Sequence, residues 1–276
     1  MLKVINCPHC DQGERVRIMS QNFPDLYINL VDPALNKITR YWYECSNCRF
    51  LYRSPKLNKK EQELLYEKYR DKSFRSETSD EYFDRISQYS NAKSENFQKV
   101  SWFIKNAKKS ILNNSKTVLD VGCGGGGLLH KIKEILPSLS TYGIEPNESY
   151  SNLARRRSGA EEILTAYFDS GTIDKKFDII TSSDVLEHVD SPEIFLNDVY
   201  RSLNSTGVFF LEVPSPTNFK ELESDHDMFN IAHHVFYTSV VLKEYLVDAG
   251  FVNIMIEDVR LDNNIWKLRS ISYRDN

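Results

Sequence analysis

The chain has 276 residues, 41% of them hydrophobic, and its 35 Lys and Arg against 39 Asp and Glu leave a formal charge of −4. This length allows one or two domains with a sizeable core, and the acidic balance argues against a protein that grips nucleic acid mainly through phosphates, while leaving local basic patches open. There is no repeat or low-complexity tract, no run near the roughly 20 apolar residues of a membrane span, and no apolar signal segment in Met-Leu-Lys-Val-Ile-Asn-Cys7, so a soluble cytoplasmic protein is expected.

In chain order, the first feature is a pair of C-x2-C knuckles, Cys7-Pro-His-Cys10 and Cys45-Ser-Asn-Cys48. Each knuckle can turn two thiolates onto one tetrahedral ion, so together they predict a closed structural zinc site. The 34 residues between the knuckles exceed the usual spacing, but β-prone stretches at 14–19, 26–31 and 38–44 suit a hairpin insertion. Paired disulfides are disfavoured by a reducing compartment, and a redox C-x-x-C centre would need only one knuckle. His9 is a substitute ligand that four thiolates do not require.

Residues 57–110 are charged and helical in pattern, with Tyr66, Tyr69, Phe74, Tyr82, Phe83 and Tyr89 spaced through them. They read either as a cap over a ligand mouth or as a linker packing its aromatics on the main domain. The expected division is a zinc ribbon at 1–55, a helical cap or linker at 56–110, and a catalytic domain at 111–276.

Thr117-Val-Leu-Asp-Val-Gly-Cys-Gly-Gly-Gly126 is a buried strand running into a glycine loop. Glycine there permits positive φ and close approach of backbone amides to a nucleoside-containing cofactor. Gly122, Gly124, Gly126 and Gly127 fit both the G-x-G-x-G of S-adenosylmethionine enzymes and the G-x-G-x-x-G of dinucleotide sites. Asp120 favours the methyl donor, because a carboxylate so near the loop would repel a pyrophosphate and attract a cationic amino acid. Cys123 reads as a small loop residue near the cofactor.

A second strand ends in Glu145, 19 residues after Gly126, close to the spacing at which an acid takes ribose hydroxyls; the other reading is a cap for the helix beginning near Glu148. Arg155, Arg156 and Arg157 read as the solvated face of that helix. A short strand at 161–164 precedes Tyr167 and Phe168, which either flank an adenine or belong to the core. Phe177-Asp-Ile-Ile-Thr-Ser182 is apolar on both faces, as a central parallel strand should be. Ser191-Pro192 then opens a helix, Gly207 precedes a strand at 207–213, Gly250 closes a helix at 238–248, and strands follow at 251–258 and 265–273.

The ordered series VLDVGCGGG, GIEP, FDIITSSDVLEHVDSP and GVFFLEV resembles the class I S-adenosylmethionine-dependent methyltransferases over residues 95–276. The resemblance implies an α/β fold with a Rossmann-like seven-stranded sheet and a small N-terminal zinc-ribbon domain. It places Asp120, Gly122 and Gly124 around the amino-acid end of the cofactor, Glu145 at the ribose, Tyr167 and Phe168 at the adenine edge, and Ser182 and Ser183 under the sulfonium.

Methyl transfer is a direct displacement, so the protein must align the acceptor and, for a hydroxyl or carbon acid, remove a proton. His226, His233 and His234 lie where this fold crosses the cofactor mouth. Ile231-Ala-His-His-Val-Phe-Tyr-Thr238 is similar to the Glu-His-x-x-Tyr-Phe element of zinc-ribbon sugar methyltransferases, which makes His234 the expected base. His233 stands where that family has glutamate, and the long C-terminal domain of its C-methylating members is absent, so O-methylation of a sugar hydroxyl, nucleotide-linked or in a glycan precursor, keeps the same logic. His188 in Leu186-Glu-His-Val is a further base candidate, and Asp225, His226 and His234 form a possible metal set. The alternatives are a zinc-ribbon RNA methyltransferase and a noncatalytic S-adenosylmethionine-binding or zinc-mediated interaction module.

Overall fold

The computed structural model describes residues 6–22, 25, 27–68, 77–261 and 264–275; Tyr69 and Phe74 fall outside these. The chain begins with β1 (Arg15–Gln21), a short helix α1 (Ile28–Val31), a 3-10 turn (Pro33–Lys37), β2 (Arg40–Cys45) and β3 (Leu51–Ser54). Residues 28–31 of the expected strand at 26–31 are thus helical. Asp25 explains it: its side chain accepts from Tyr27 N–H at 2.8 Å and its carbonyl from Ile28 N–H at 3.0 Å, so a turn closes before a strand can propagate.

Helices α2 (Lys59–Lys68), α3 (Ser79–Ser87), α4 (Glu95–Asn106) and α5 (Lys109–Asn114) follow. Thr78 caps α3 in a reciprocal box with Glu81, and Ser94 caps α4 by accepting from Phe97 N–H. The remaining elements alternate: β4 (Thr117–Val121), α6 (Gly127–Ile135), β5 (Ser140–Ile144), α7 (Glu148–Arg157), β6 (Glu162–Leu164), β7 (Phe177–Ser183), α8 (Pro192–Ser202), β8 (Leu203–Pro214), β9 (Val235–Phe236), α9 (Ser239–Asp248), β10 (Phe251–Arg260) and β11 (Trp266–Arg274). Pro192 occupies the first turn of α8, but the Ser191 side chain makes no capping bond. Strand β8 starts at Leu203, before Gly207, so the chain is extended sooner than the glycine signals.

Seven strands form one sheet in the order β10-β11-β8-β7-β4-β5-β6. The β6-to-β8 part is parallel and β11 joins it antiparallel to β8 and β10, which is the Rossmann-like architecture expected. Period-2 alternation assigns the two faces. Val118, Ile179, Val208 and Phe210 pack with Val100 and Phe103 of α4 and Leu128 and Ile132 of α6. Leu119, Val121, Ile180, Phe209 and Leu211 pack on the opposite side with α8 and α9. After β6 the chain returns to the far side of β4, so a crevice opens beyond the carboxyl ends of β4 and β7, the place where doubly wound sheets hold ligands.

A second sheet, β1-β2-β3-β9, carries the knuckles. Its last strand comes from residues 235–236, so the N-terminal ribbon is completed by the main domain rather than standing apart. Cys7, Cys45, Phe50 and Tyr52 belong to the same buried cluster as Tyr237, Tyr245 and the β4 side chains. His9 reaches Glu244 on α9 at 2.8 Å.

Candidate active site

The glycine loop is shaped by one carbonyl. Gly122 N–H and Cys123 N–H both donate to Ile144 O, at 2.8 and 3.0 Å, which folds the chain sharply off β4. Gly122 has φ +74°, and a Cβ there would lie 2.4 Å from a Val185 methyl. Gly124 has φ +52°, and a Cβ there would meet nothing within 4 Å, so its side faces open space above the sheet. Cys123 is buried, and burial pushes its thiol well above the ordinary range, consistent with a small packing residue and not a nucleophile.

Asp120, next to last in β4, is 3% exposed and accepts from Thr181 Oγ1 on β7 at 2.7 Å. Burial pushes its carboxyl up to about 7, against the lowering effects of the Thr181 bond and Lys99, and Glu145 adds to the rise. Glu145, just beyond β5, accepts Gly124 N–H on Oε2 and Asn147 N–H on Oε1, both at 2.9 Å. The cap of α7 is Asn147, whose Oδ1 accepts from Tyr150 N–H at 3.1 Å, so the two readings of Glu145 separate: it faces the loop while Asn147 caps the helix.

Tyr167 is 60% exposed on the same side, whereas Phe168 is half-buried with its ring edge-on to Phe195 at 5.8 Å. Ser182 and Ser183 sit at the carboxyl end of β7 with buried hydroxyls that lack hydrogen-bond partners among the described residues. Beside them is a charge network that the sequence reading missed. Lys99 of α4 meets Glu212 at 2.9 Å and Asp184 at 3.7 Å, Arg269 meets Glu212 at 2.6 Å, and Lys267 pairs with Asp184. These partners are far apart in sequence, so only the alternation of β8 and β11 hinted that they would share a face.

The helices before β4 reach this mouth. Asn147 Nδ2 donates to Tyr66 O at 3.0 Å, and the Tyr66 ring is edge-on to His188 at 5.9 Å. Helix α3 buries Phe83 against His130 and ties Asp80 to Arg156 at 2.9 Å and Asp84 to Arg157. The arginine run therefore fastens α3 to α7 and is not merely a solvated face.

Three histidines meet across the crevice. His188 lies in a 3-10 turn (Leu186–His188) after β7, and its Nδ1 is 2.8 Å from Ala232 O. His233 Nδ1 is 2.6 Å from Met228 O, and the two rings are 4.8 Å apart. His234 is 4% exposed, and neither ring nitrogen has a hydrogen-bond partner among the described residues; Nδ1 lies 3.9 Å from Asp190 Oδ1. Burial first, then Arg53, His188 and Lys56, hold it well below the usual histidine range, so it is neutral at pH 7. His226 is not part of this group: its Nδ1 accepts from Met228 N–H at 3.2 Å, and the set Asp225, His226, His234 is not assembled among the described residues. Glu187 is fully buried with both oxygens lacking hydrogen-bond partners among the described residues, and burial pushes its carboxyl up to about 8.

Strand β3 pairs Leu51 with Phe236 and Tyr52 with Val235, and Arg53 N–H donates to His234 O at 2.9 Å. Arg53 Nη1 donates to Asn230 O at 2.9 Å and Nη2 to Ile231 O. At the far end of the ribbon, Cys7 and Cys48 sulfurs are 3.6 Å apart, as are those of Cys10 and Cys45, and no disulfide joins any of them. Sulfurs about 2.3 Å from a tetrahedral ion stand roughly 3.8 Å apart, so the four thiols fit such an ion.

A seven-stranded Rossmann-like sheet with a glycine loop, an acid after β5 and no phosphate-binding cation in the loop defines a class I methyltransferase fold. A family profile described as "Methyltransferase domain" matches residues 74–256, and the chain belongs to that family. The mitochondrial ubiquinone biosynthesis O-methyltransferase of Candida albicans is 35% identical over 112 residues, 38% of this chain and 34% of that protein. The ubiquinone biosynthesis O-methyltransferase of Pseudomonas putida strain GB-1 is 30% identical over 136 residues, 47% of this chain and 56% of that protein. The chain thus spans between about a third and just over half of these curated relatives. Among solved structures, the magnesium protoporphyrin IX methyltransferase of Synechocystis PCC 6803 with bound S-adenosylhomocysteine superposes with a TM-score of 0.56 at 14% identity, covering 78% of this chain and 100% of that one, a likeness of fold. No helix among the described residues is long and apolar enough to cross a membrane.

Proposed function

We propose that the protein transfers the methyl group of S-adenosylmethionine to a hydroxyl of a small, sugar-containing acceptor, with His234 as the base and zinc on the four ribbon thiolates. The observation that carries the acid-base reading is the His234 ring, the one histidine at the crevice with neither nitrogen committed to the protein. The relatives named O-methyltransferases support a hydroxyl acceptor; the sugar rests on the resemblance of residues 231–238.

In this reading the sulfonium supplies an electrophilic methyl. Asp120 receives the cationic amino group, Gly124 leaves room for the chain beside it, and Glu145 exchanges its loop bond for ribose hydroxyls. Tyr167 flanks the adenine from its exposed position, while Phe168 holds the loop on α8. Ser182 and Ser183 offer hydroxyls beneath the sulfonium. Asp190 faces Nδ1 of His234, which leaves Nε2 to take the acceptor proton, and the nearby carboxylate offsets the charge that forms on the buried ring.

A zinc-ribbon RNA enzyme would show a basic groove leading from the ribbon to the mouth. Here Arg49 pairs with Glu44 at 2.5 Å, Lys56 with Asp190 at 2.8 Å, and Arg53 is buried on backbone carbonyls, so these cations are committed. The test has two steps. Calorimetric titration with S-adenosylhomocysteine, beside NADH, should show binding of the first only. Radiolabelled methyl transfer to nucleotide sugars should then fall about 10²- to 10⁴-fold in His234→Ala at unchanged cofactor affinity. Unchanged turnover would remove His234 as base, and NADH binding would overturn the cofactor.

A further inference from the structure

We propose that Glu187, His188 and His233 form a second metal site, separate from the ribbon, that holds a divalent ion with an open position toward the acceptor crevice. The three side chains each present a ligand atom, all within 4.8 Å of one another. Ligands about 2.1 Å from one ion stand roughly 3.0 to 3.4 Å apart, so side-chain adjustments of up to about 1.5 Å close the set.

The tautomers are fixed in the sense a metal requires. Nδ1 of His188 faces Ala232 O and Nδ1 of His233 faces Met228 O. A carbonyl only accepts, so each Nδ1 carries the proton and each Nε2 carries the lone pair. Metal-binding histidines are oriented in this way, with the second ring nitrogen donating to a backbone carbonyl or carboxylate. The two ligand-bearing loops are also registered to one another, because His234 N–H donates to Glu187 O at 3.0 Å.

Glu187 supplies the independent observation. A fully buried carboxyl group whose two oxygens find no hydrogen-bond partner among the described residues is costly, and a bound cation is a partner that would remove the cost. Its Oε1 lies 3.9 Å from His188 Nε2. Neighbouring Asp184 is engaged by Lys267 and by Lys99, so the third ligand comes from the crossing loop through His233. Two imidazoles and one carboxylate suit zinc, manganese, iron or cobalt, and three protein ligands leave a position for an oxygen ligand. His188 and His233 each keep part of their surface exposed, the side from which an oxygen ligand would reach the ion. If the methyltransferase reading above holds, an acceptor hydroxyl on this ion is acidified, and a weakly basic neighbour such as His234 suffices to take its proton.

The experiment needs no acceptor. Full-length protein with its ribbon zinc counted is titrated with Zn²⁺ by calorimetry and with Co²⁺ by absorption. Sulfur-bound cobalt gives strong charge-transfer bands, whereas a site of nitrogen and oxygen ligands gives only visible d–d bands. The expected result is an ion beyond the thiolate-bound one, lost in both Glu187→Gln and His233→Ala, and retained in Cys45→Ser. S-adenosylhomocysteine binding by each variant certifies its fold. No additional ion in the wild type at millimolar metal, or an additional ion that survives in either Glu187→Gln or His233→Ala, overturns the site. Methyl transfer by protein shown to carry no second ion would sink this proposal and leave the methyltransferase reading intact.

Discussion

Gly124 N–H donates to Glu145 Oε2 at 2.9 Å, so the glycine loop is held shut on the acid assigned to the ribose. The Gly124 side of this contact is empty: a Cβ would meet no atom within 4 Å, although φ is +52°. Gly124→Ala should therefore fold at a cost of about 1 kcal/mol from the left-handed backbone, yet place a methyl in the space the cofactor needs. The expected outcome is a melting temperature within a few degrees of wild type and at least a hundredfold loss of S-adenosylhomocysteine affinity by calorimetry. Retained affinity would place the cofactor elsewhere.

Asp120 makes cofactor binding pH-dependent. Its carboxyl rises from an ordinary 3.8 to about 7 on burial, so between those values the folded chain binds more protons than the unfolded one, and this group's contribution to stability falls as pH rises through that window. A cationic amino group beside Asp120 favours the carboxylate and reverses the shift. Binding of S-adenosylhomocysteine should then release a proton below pH 7 and strengthen with pH by up to about tenfold per unit, levelling above pH 7. Calorimetry in buffers of different ionisation enthalpy measures the proton directly. Asp120→Asn should bind more weakly and without the slope; a slope that persists would assign the proton to another group.

How far these features could be read in advance depended on whether their causes were local. Val118 to Val121 and the glycines announce the loop by alternation and spacing alone, and the order of parallel strands follows from the helices between them. The helix at Ile28–Val31 was hidden because one side chain, Asp25, outweighs β-prone neighbours. Strand β9 has two residues, too few for any periodicity, and its pairing with β3 is a contact across more than 180 positions. Glu187 was legible as part of a Glu-His pair but not as a buried carboxylate without a donor, since that depends on Asp184 being taken by Lys267 and Lys99.

The ribbon's thiols should govern stability more than cofactor affinity. Cys7 and Cys45 lie in the same buried cluster as Tyr237 and Tyr245, while the loop bonds of Gly122 and Gly124 go to Ile144 O and Glu145 Oε2. Cys45→Ser should release zinc, measurable with a chromophoric chelator, and lower the melting temperature by on the order of 5–10 °C, equivalent to roughly 2 to 4 kcal/mol at this chain length. S-adenosylhomocysteine affinity of the folded variant should change less than about threefold. No zinc in the wild type would leave the four thiols without the ion proposed for them.

Arg53 links that ribbon to the proposed chemistry. Its guanidinium is fully buried, burial and then Arg40 push it down to about 9, and it spends Nη1 and Nη2 on the carbonyls of Asn230 and Ile231 while its own N–H holds His234 O. Lysine keeps a cation at this position but not the planar fork, so Arg53→Lys leaves at least one of the two buried carbonyls without its donor, at a cost of about 1 to 3 kcal/mol. Since those carbonyls belong to the segment carrying His233 and His234, the loss should appear as looser placement of both rings. The variant should keep its zinc and bind S-adenosylhomocysteine within about threefold of wild type, yet show a lower melting temperature and perturbed His233 and His234 ring signals by nuclear magnetic resonance. Unperturbed rings in a destabilised variant would reduce Arg53 to a packing residue; perturbed rings with the cofactor site unchanged would identify the ribbon as the part that sets the acceptor histidines.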